Sequence, residues 1–392
     1  MKNRRLKIIL IIILFITIFT PTANAEETNT TDVNTDAILE SQSETLGISS
    51  FIEEADKYKS DEFDFDVGEL ITGAIKGEID NQTIGQQILN LLFSQVGEAI
   101  KSIGIILVIV VISSILKSIS DDLENKSIAQ ISHYVTYILI VTIIMKNFSD
   151  IIVMIRTSIE NLVGFSNSLI PLLITLMLTT GNIASASMLQ PIILFIITFI
   201  GNFINTILIP ASLVAVALNV ISNISDKVQI DKLGTFINKT VIWILGIVLT
   251  IFVGVASLEG SITNGVDGLT VKTTKAAVSN FIPIVGKILG DAVETVMSCS
   301  NILKNAVGIV GVIIILSICI MPIIKLAALM GVYYLGSALC QPIADKKIVD
   351  LLGQIGGTFK LLLAIMCSIS VMLVIGVTLV IKISNSGLMM GS

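Results

Sequence analysis

The chain has 392 residues, of which 53% are hydrophobic and only 14% charged. Its mean hydropathy of +0.92 is far above what a water-exposed domain carries, so lipid is its solvent and a soluble enzyme is excluded. A net charge of −6, from 24 Lys and Arg against 30 Asp and Glu, provides no basic field for a nucleic-acid backbone.

Residues 1–25 open with Lys2, Arg4, Arg5 and Lys7, run apolar through Ile8–Phe19 with only Thr17 interrupting, and end at Ala23-Asn24-Ala25. This is the pattern of a secretory signal peptide cleaved after Ala25. An uncleaved anchor is the competing reading, but twelve residues cover about 18 Å of a roughly 30 Å hydrocarbon core. Residues 26–98 carry 17 acidic and 3 basic residues, whereas 99–392 carry 13 acidic and 17 basic. The acidic part is therefore expected to be exported and the basic remainder to sit in the membrane.

Within the exported part, 26–45 is almost without apolar residues and reads as a disordered acidic leader. Segment 46–98 has two helical stripes. Ile48, Phe51, Ile52 and Ala55 follow a Ser50-x-x-Glu53 capping box; Val67, Leu70, Ile71, Ala74 and Ile75 follow Asp66-x-x-Glu69. Two short amphipathic helices too small for their own core are expected, docked on the membrane domain.

The membrane domain, 99–392, contains charge-free runs at 102–116, 127–145, 161–225, 240–258, 305–324, 326–344 and 361–381. Most match one bilayer crossing. The 65-residue run is long enough for about three, with breaks expected at Pro171, Gly181, Pro191, Gly201 and Pro210. The fold class is thus an all-α polytopic membrane protein of about 8–10 membrane-embedded helices, since lipid forces the backbone to bond internally. Lys325, between runs of 20 and 19 residues, is placed at the turn of a tight hairpin, and Pro322 just before it at the end of a span.

The chain also matches itself. Ile224-Ser-Asp-Lys-Val-Gln-Ile-Asp-Lys-Leu-Gly234 and Ile343-Ala-Asp-Lys-Lys-Ile-Val-Asp-Leu-Leu-Gly353 share six of eleven positions without a gap. Ile170-Pro171 and Ile282-Pro283 precede them in the same order, which suggests repeats at about 127–239 and 240–360 and a final span at 361–381. The Asp-rich stretches 117–126, 226–239 and 345–360, all bearing lysines, belong on the cytoplasmic side. That parity demands about ten spans, the Ile-Pro segments included.

Candidate chemistry is sparse. Lys287, Asp291 and Glu294 recur at i, i+4 and i+7 and form one helical face, beside Pro283 and Gly286 and with Pro171 at the matching place in the first repeat. Proline- and glycine-interrupted segments at matching positions point to a transport pathway. A helix lying at the interface with its charges in water is the alternative. The one histidine, His133, reads as structural, and Cys299, Cys319, Cys340 and Cys367 lack ligand spacing and read as small hydrophobes. Gly265-Val-Asp-Gly268-Leu-Thr-Val-Lys272-Thr273 lacks the glycine before the lysine that a phosphate loop needs. No metal, cofactor or catalytic set emerges, so the protein reads as a non-enzyme.

The block Asp231-Lys-Leu through Trp243, Leu245-Gly246, Thr250 and Phe252-Val-Gly254 continues with Asp267-Gly268, Lys272, Lys275, Ile282-Pro283, Val285-Gly286, Asp291, Thr295, Lys304-Asn-Ala306, Gly308 and Gly311. It resembles the stage III sporulation protein AE family, and the resemblance extends over nearly the whole chain. It implies a multi-pass component of the mother-cell side, in the outer forespore membrane, of a channel or feeding apparatus joining mother cell and forespore. Its implied partners are ring-forming and smaller membrane proteins and a secretion-type ATPase. From the residues alone, a stand-alone secondary transporter for a small solute and a non-conducting scaffold stay open.

Overall fold

The computed structural model describes residues 46–59, 65–77, 81–122, 126–224, 231–262 and 286–389. The expected signal peptide and acidic leader, Gly265–Thr273, Pro283 and Asp226 lie outside the described residues. Among the described residues there is no strand.

The first two helices are short. α1 (Ile48–Tyr58) starts two residues before the expected cap: Gly47, at φ 76°, is the N-cap, and no side chain caps the helix. Starting there puts Ile48 on the same face as Phe51 and Ala55, all three buried. Burying an isoleucine is worth about 1.5–3 kcal/mol, against about 1 for a serine cap. A glycine tolerates the left-handed φ that this entry requires. α2 (Val67–Lys76) begins as its sequence predicts, with Asp66 Oδ1 accepting from the Glu69 amide at 2.9 Å. Lys59 Nζ donates to the Phe65 carbonyl at 2.6 Å and links the two helices.

Neither helix stands alone. α1 lies on α4 (Lys126–Thr179), where Phe51 and Tyr58 set their rings 6.0 and 6.1 Å from Phe165. α2 packs on α8 (Gly286–Cys340).

The remaining long helices are α3 (Asn81–Asp122), α5 (Ile183–Phe203), α6 (Ile209–Ile224), α7 (Asp231–Ile262) and α9 (Lys346–Met389). A π-helical stretch, Ile204–Leu208, makes α5 and α6 one continuous rod. Among the described residues six helices are therefore long and apolar enough to cross a membrane. The 8–10 segments counted from charge-free runs merge into these six because most of the expected breaks do not break. Pro171, Pro191 and Pro322 lie inside helices. The π stretch falls just where the Pro210 ring would press on the carbonyl four residues earlier, and widening the turn relieves that clash without ending the rod. Gly181, at φ 82°, does turn the chain: the amide of Asn182 reaches back to the Met177 carbonyl at 3.1 Å, closing α4 before α5 returns.

Lys325 is not a hairpin turn. α8 continues through it to Cys340, and the hairpin to α9 closes at Gln341–Asp345, where the amide of Ala344 donates to the Cys340 carbonyl at 2.7 Å. The Asp-rich stretches are also shorter as connections than expected, because α3 runs to Asp122, α7 starts at Asp231 and α9 at Lys346.

Six alternating helices meet the same parity with fewer crossings than the ten expected. The α3–α4, α6–α7 and α8–α9 connections fall at one end without an extra crossing. Two side-chain bonds tie that end together: Asn223 Nδ2 donates to Gln354 Oε1 at 2.8 Å, and the Tyr137 hydroxyl to the Val220 carbonyl at 2.7 Å. Both self-matching motifs sit where a helical hairpin turns. Gly234 lies against Asn219 of α6, and its counterpart Gly353 faces Ser337 of α8, whose Oγ would be 3.4 Å from an added Cβ.

The core runs along the α8–α9 seam, with α4 packed antiparallel on α8. Gly308 and Gly311 let α8 approach Ile381 of α9 and Leu169 of α4. Phe148 and Tyr333 close on Phe359 at 5.8 and 5.2 Å between ring centroids. Outward-facing Phe195, Phe199, Trp243 and Ile251 are exposed, as lipid-facing positions are.

Candidate functional site

α4 has 54 residues and α8 has 55, so each is about 80 Å long, more than twice a hydrocarbon core. Both carry two apolar runs with charges between them: Lys146, Asp150, Arg156 and Glu160 in α4, and Lys325 in α8. At this charged level α3, α4 and α8 enclose a half-open crevice of about 200 Å³.

Helical spacing builds its walls. Gln95, Glu98 and Ser102 recur at i, i+3 and i+7 on α3, and Asn147 and Asp150 at i and i+3 on α4, so each set shares one face. Lys325 comes from α8, and Ala99, Ile151 and Leu329 supply an apolar floor. Asn147 Nδ2 donates to Ser102 Oγ at 2.6 Å, which fixes the α3–α4 wall. Gln95 is 5% exposed and its Oε1 accepts no hydrogen bond from the protein. Lys325 is half-buried, while Glu98 and Asp150 are exposed. Among the described residues no ion pair within 4.0 Å joins Glu98, Asp150 or Lys325, so the three crevice charges face one cavity without pairing. One rim is apolar: Leu91 and Ile324 pack together with Phe65, the residue that leads into α2. The two short helices thus dock beside the crevice.

A second polar site lies further along α8. Lys304 is fully buried, and among the described residues it is the one charged side chain that is. Gly308 faces Leu173 of the antiparallel α4, which sets Lys304 level with the last turn of α4. Cations are favoured there by the carbonyls and dipole of a helix C-terminus. Thr180, Asn182, Ser185 and Ser300 are also buried, and Asn182 Nδ2 donates to Thr180 Oγ1 at 2.8 Å.

The stripe read from the sequence has a different address. Gly286 is the first residue of α8, and Lys287, Asp291 and Glu294 follow in its opening turns; their side chains, like Pro283, lie outside what is described. Pro171 is half-buried inside α4 between Leu169 and Leu173, which face Gly311 and Gly308. It therefore stands about six turns, ~30 Å, along α8 from Lys287. Sequence reasoning missed the crevice. The polar i, i+3, i+7 pattern at 95, 98 and 102 would have pointed to the α3 face, but nothing local says that Asn147, Asp150 and Lys325 meet it. Among the described residues no group of three or more His, Cys, Asp or Glu could hold a metal ion.

Comparison with known proteins agrees over most of the chain. A curated relative, the stage III sporulation protein AE of Bacillus subtilis (strain 168), is 28% identical over 333 residues, covering 82% of this chain and 84% of the relative. No solved structure matches. The family model described as stage III sporulation protein AE matches residues 65–384, from the entry of α2 almost to the end of α9, and the chain belongs to that family.

Proposed function

We propose that this protein is a multi-pass membrane subunit of a channel or export apparatus that joins mother cell and forespore and is needed for forespore development. The observation that carries the reading is the family match over residues 65–384 on a body of six long apolar helices. In this reading residues 1–25 are removed after Ala25 and 26–98 are exported from the mother cell into the space facing the forespore. The three Asp- and Lys-bearing connections take the cytoplasmic side, in keeping with the positive-inside rule. The protein supplies no catalysis; ring-forming and smaller membrane proteins and a secretion-type ATPase supply assembly and energy. α1 and α2, docked beside the crevice with their charged faces outward, are the natural contact for the ring-forming partners.

Photo-cross-linking from Glu69 and Lys76, both exposed on α2, tests this in sporulating cells. Capture of other membrane proteins of the sporulation complex is expected. Absence of any such adduct, with solute flux by the purified protein, would replace this reading with a stand-alone transporter, which the polar crevice also permits.

In the same reading the stripe Lys287, Asp291 and Glu294, with Pro171, Pro283 and Gly286, is a pathway element. Asp291→Leu should block spore development at normal protein level, and Asp291→Asn should weaken it. Normal sporulation by both variants would leave the stripe as a solvated helix face.

A further inference from the structure

We infer that the crevice between α3, α4 and α8 is a binding site for a small zwitterion, its ammonium group held by Glu98, Asp150 and the carboxamide oxygen of Gln95 and its carboxylate by Lys325. The chemistry follows from what the walls offer. Two carboxylates and a buried amide oxygen that accepts nothing from the protein are three acceptors awaiting donors. Lys325 is a donor with no carboxylate within 4.0 Å, although two line the same cavity. The direct arrangement, an ion pair across the crevice, is not taken, so all three charges stay available to a ligand. A ligand carrying both signs compensates all three charges at once.

The alternatives fit less well. A bare cation would meet the Lys325 ammonium and an apolar floor, with only two carboxylates to bind it. An anion would meet a lining of net charge −1. Size narrows the class further: about 200 Å³ is the space of roughly six waters at ~30 Å³ each, enough for an amino acid with a short side chain and below the range of ~300–1,000 Å³ usual for larger ligands. Asn147 Nδ2 is engaged with Ser102 Oγ, which leaves Gln95 Oε1 as the acceptor for an incoming N–H.

The site stands on the crevice alone and does not depend on the apparatus reading, so it is tested on the purified full-length protein in lipid nanodiscs. The probe is radiolabelled L-alanine, with propylamine and propionate as competitors that each carry half of its charge. Saturable binding is expected, competed weakly by either half-ligand. Lys325→Met and Asp150→Asn should each weaken it at least tenfold, while Lys239→Met, an exposed charge on α7, should leave it unchanged. A second measurement covers variants that fold poorly. The Ser102→Cys variant should react at least tenfold faster with a cationic thiosulfonate than with an anionic one, and L-alanine should slow that reaction. Native protein, with three cysteines buried and Cys367 half-buried, sets the background. Lack of saturable binding, binding indifferent to Lys325→Met and Asp150→Asn, or a thiol reactivity of the Ser102→Cys variant that L-alanine does not slow overturns the inference. None of these outcomes bears on cross-linking in sporulating cells.

Discussion

Lys304 and Lys325 stand on the same helix about six turns apart, and the protein treats them in opposite ways. Lys304 is wholly enclosed, level with the end of α4, in a region rich in buried hydroxyl and amide groups. Lys325 is half-buried and faces a cavity that holds two carboxylates it does not pair with. The enclosed lysine has the setting of a structural side chain, packed inside the body level with the end of α4. The half-open lysine has the setting of a binding group, whose charge is not consumed by the fold. Burial alone therefore does not mark the functional charge on α8; unspent valence beside a cavity does.

Reversing the enclosed charge gives the largest expected effect. Lys304→Glu places a carboxylate at a wholly buried position and should cost about 3–5 kcal/mol, seen as loss of accumulated protein and a lower unfolding temperature in detergent. Lys304→Met keeps the length of the side chain and should cost about 1–3 kcal/mol through groups left without their donor. Equal tolerance of both variants would break the contrast by showing that the enclosed charge is dispensable.

Removing the docking ring comes next. Phe165→Ala takes away the surface that Phe51 and Tyr58 share and should cost about 3 kcal/mol locally, read as faster protease cleavage within 46–76 while the long helices stay protected. Uniform destabilisation of the whole body would mean that α1 belongs to the core rather than resting on it.

The crevice side of the comparison predicts a small effect on stability. Lys325→Met breaks no ion pair and should move folding free energy by no more than about 0.5 kcal/mol, even as it removes ligand binding. A loss comparable to that of Lys304→Met would place Lys325 in the structural class. Smallest of all is the exposed pair on α1, where Glu54 accepts from Lys57 at 2.7 Å and holds its ammonium above the usual lysine range. A raised lysine stabilises below its ordinary titration range and loses that contribution as pH climbs through the raised one. The pair is open to water, so Lys57→Ala should leave the unfolding temperature unchanged at neutral pH.

Much of the architecture was legible from residues alone. Hydropathy settled the helical membrane class, because lipid leaves a backbone no other way to bond. The i, i+3, i+4 stripes located α1 and α2, and Asp66 announced the start of α2 because a cap is a contact over three residues. Where reading failed, the deciding contacts were distant. Ser50 did not cap α1, since burying Ile48 on Phe51 and its neighbours favours an earlier start. Pro171, Pro210 and Lys325 looked like breaks, yet each rod runs on through them: Leu169 and Leu173 on either side of Pro171 pack on α8, a π turn precedes Pro210, and Lys325 lines a cavity.

Composition and spacings within a few turns were enough to establish that this chain lives in lipid, which stretches are apolar enough to cross it, and that short charged helices precede a body of long ones. How many separate rods those stretches make, and which charges share a cavity, depended instead on packing between distant segments. Gln95, Asn147 and Lys325 are far apart along the chain, and their meeting rests on the register in which α3, α4 and α8 pack, a quantity set by side chains filling one another's grooves along the whole interface.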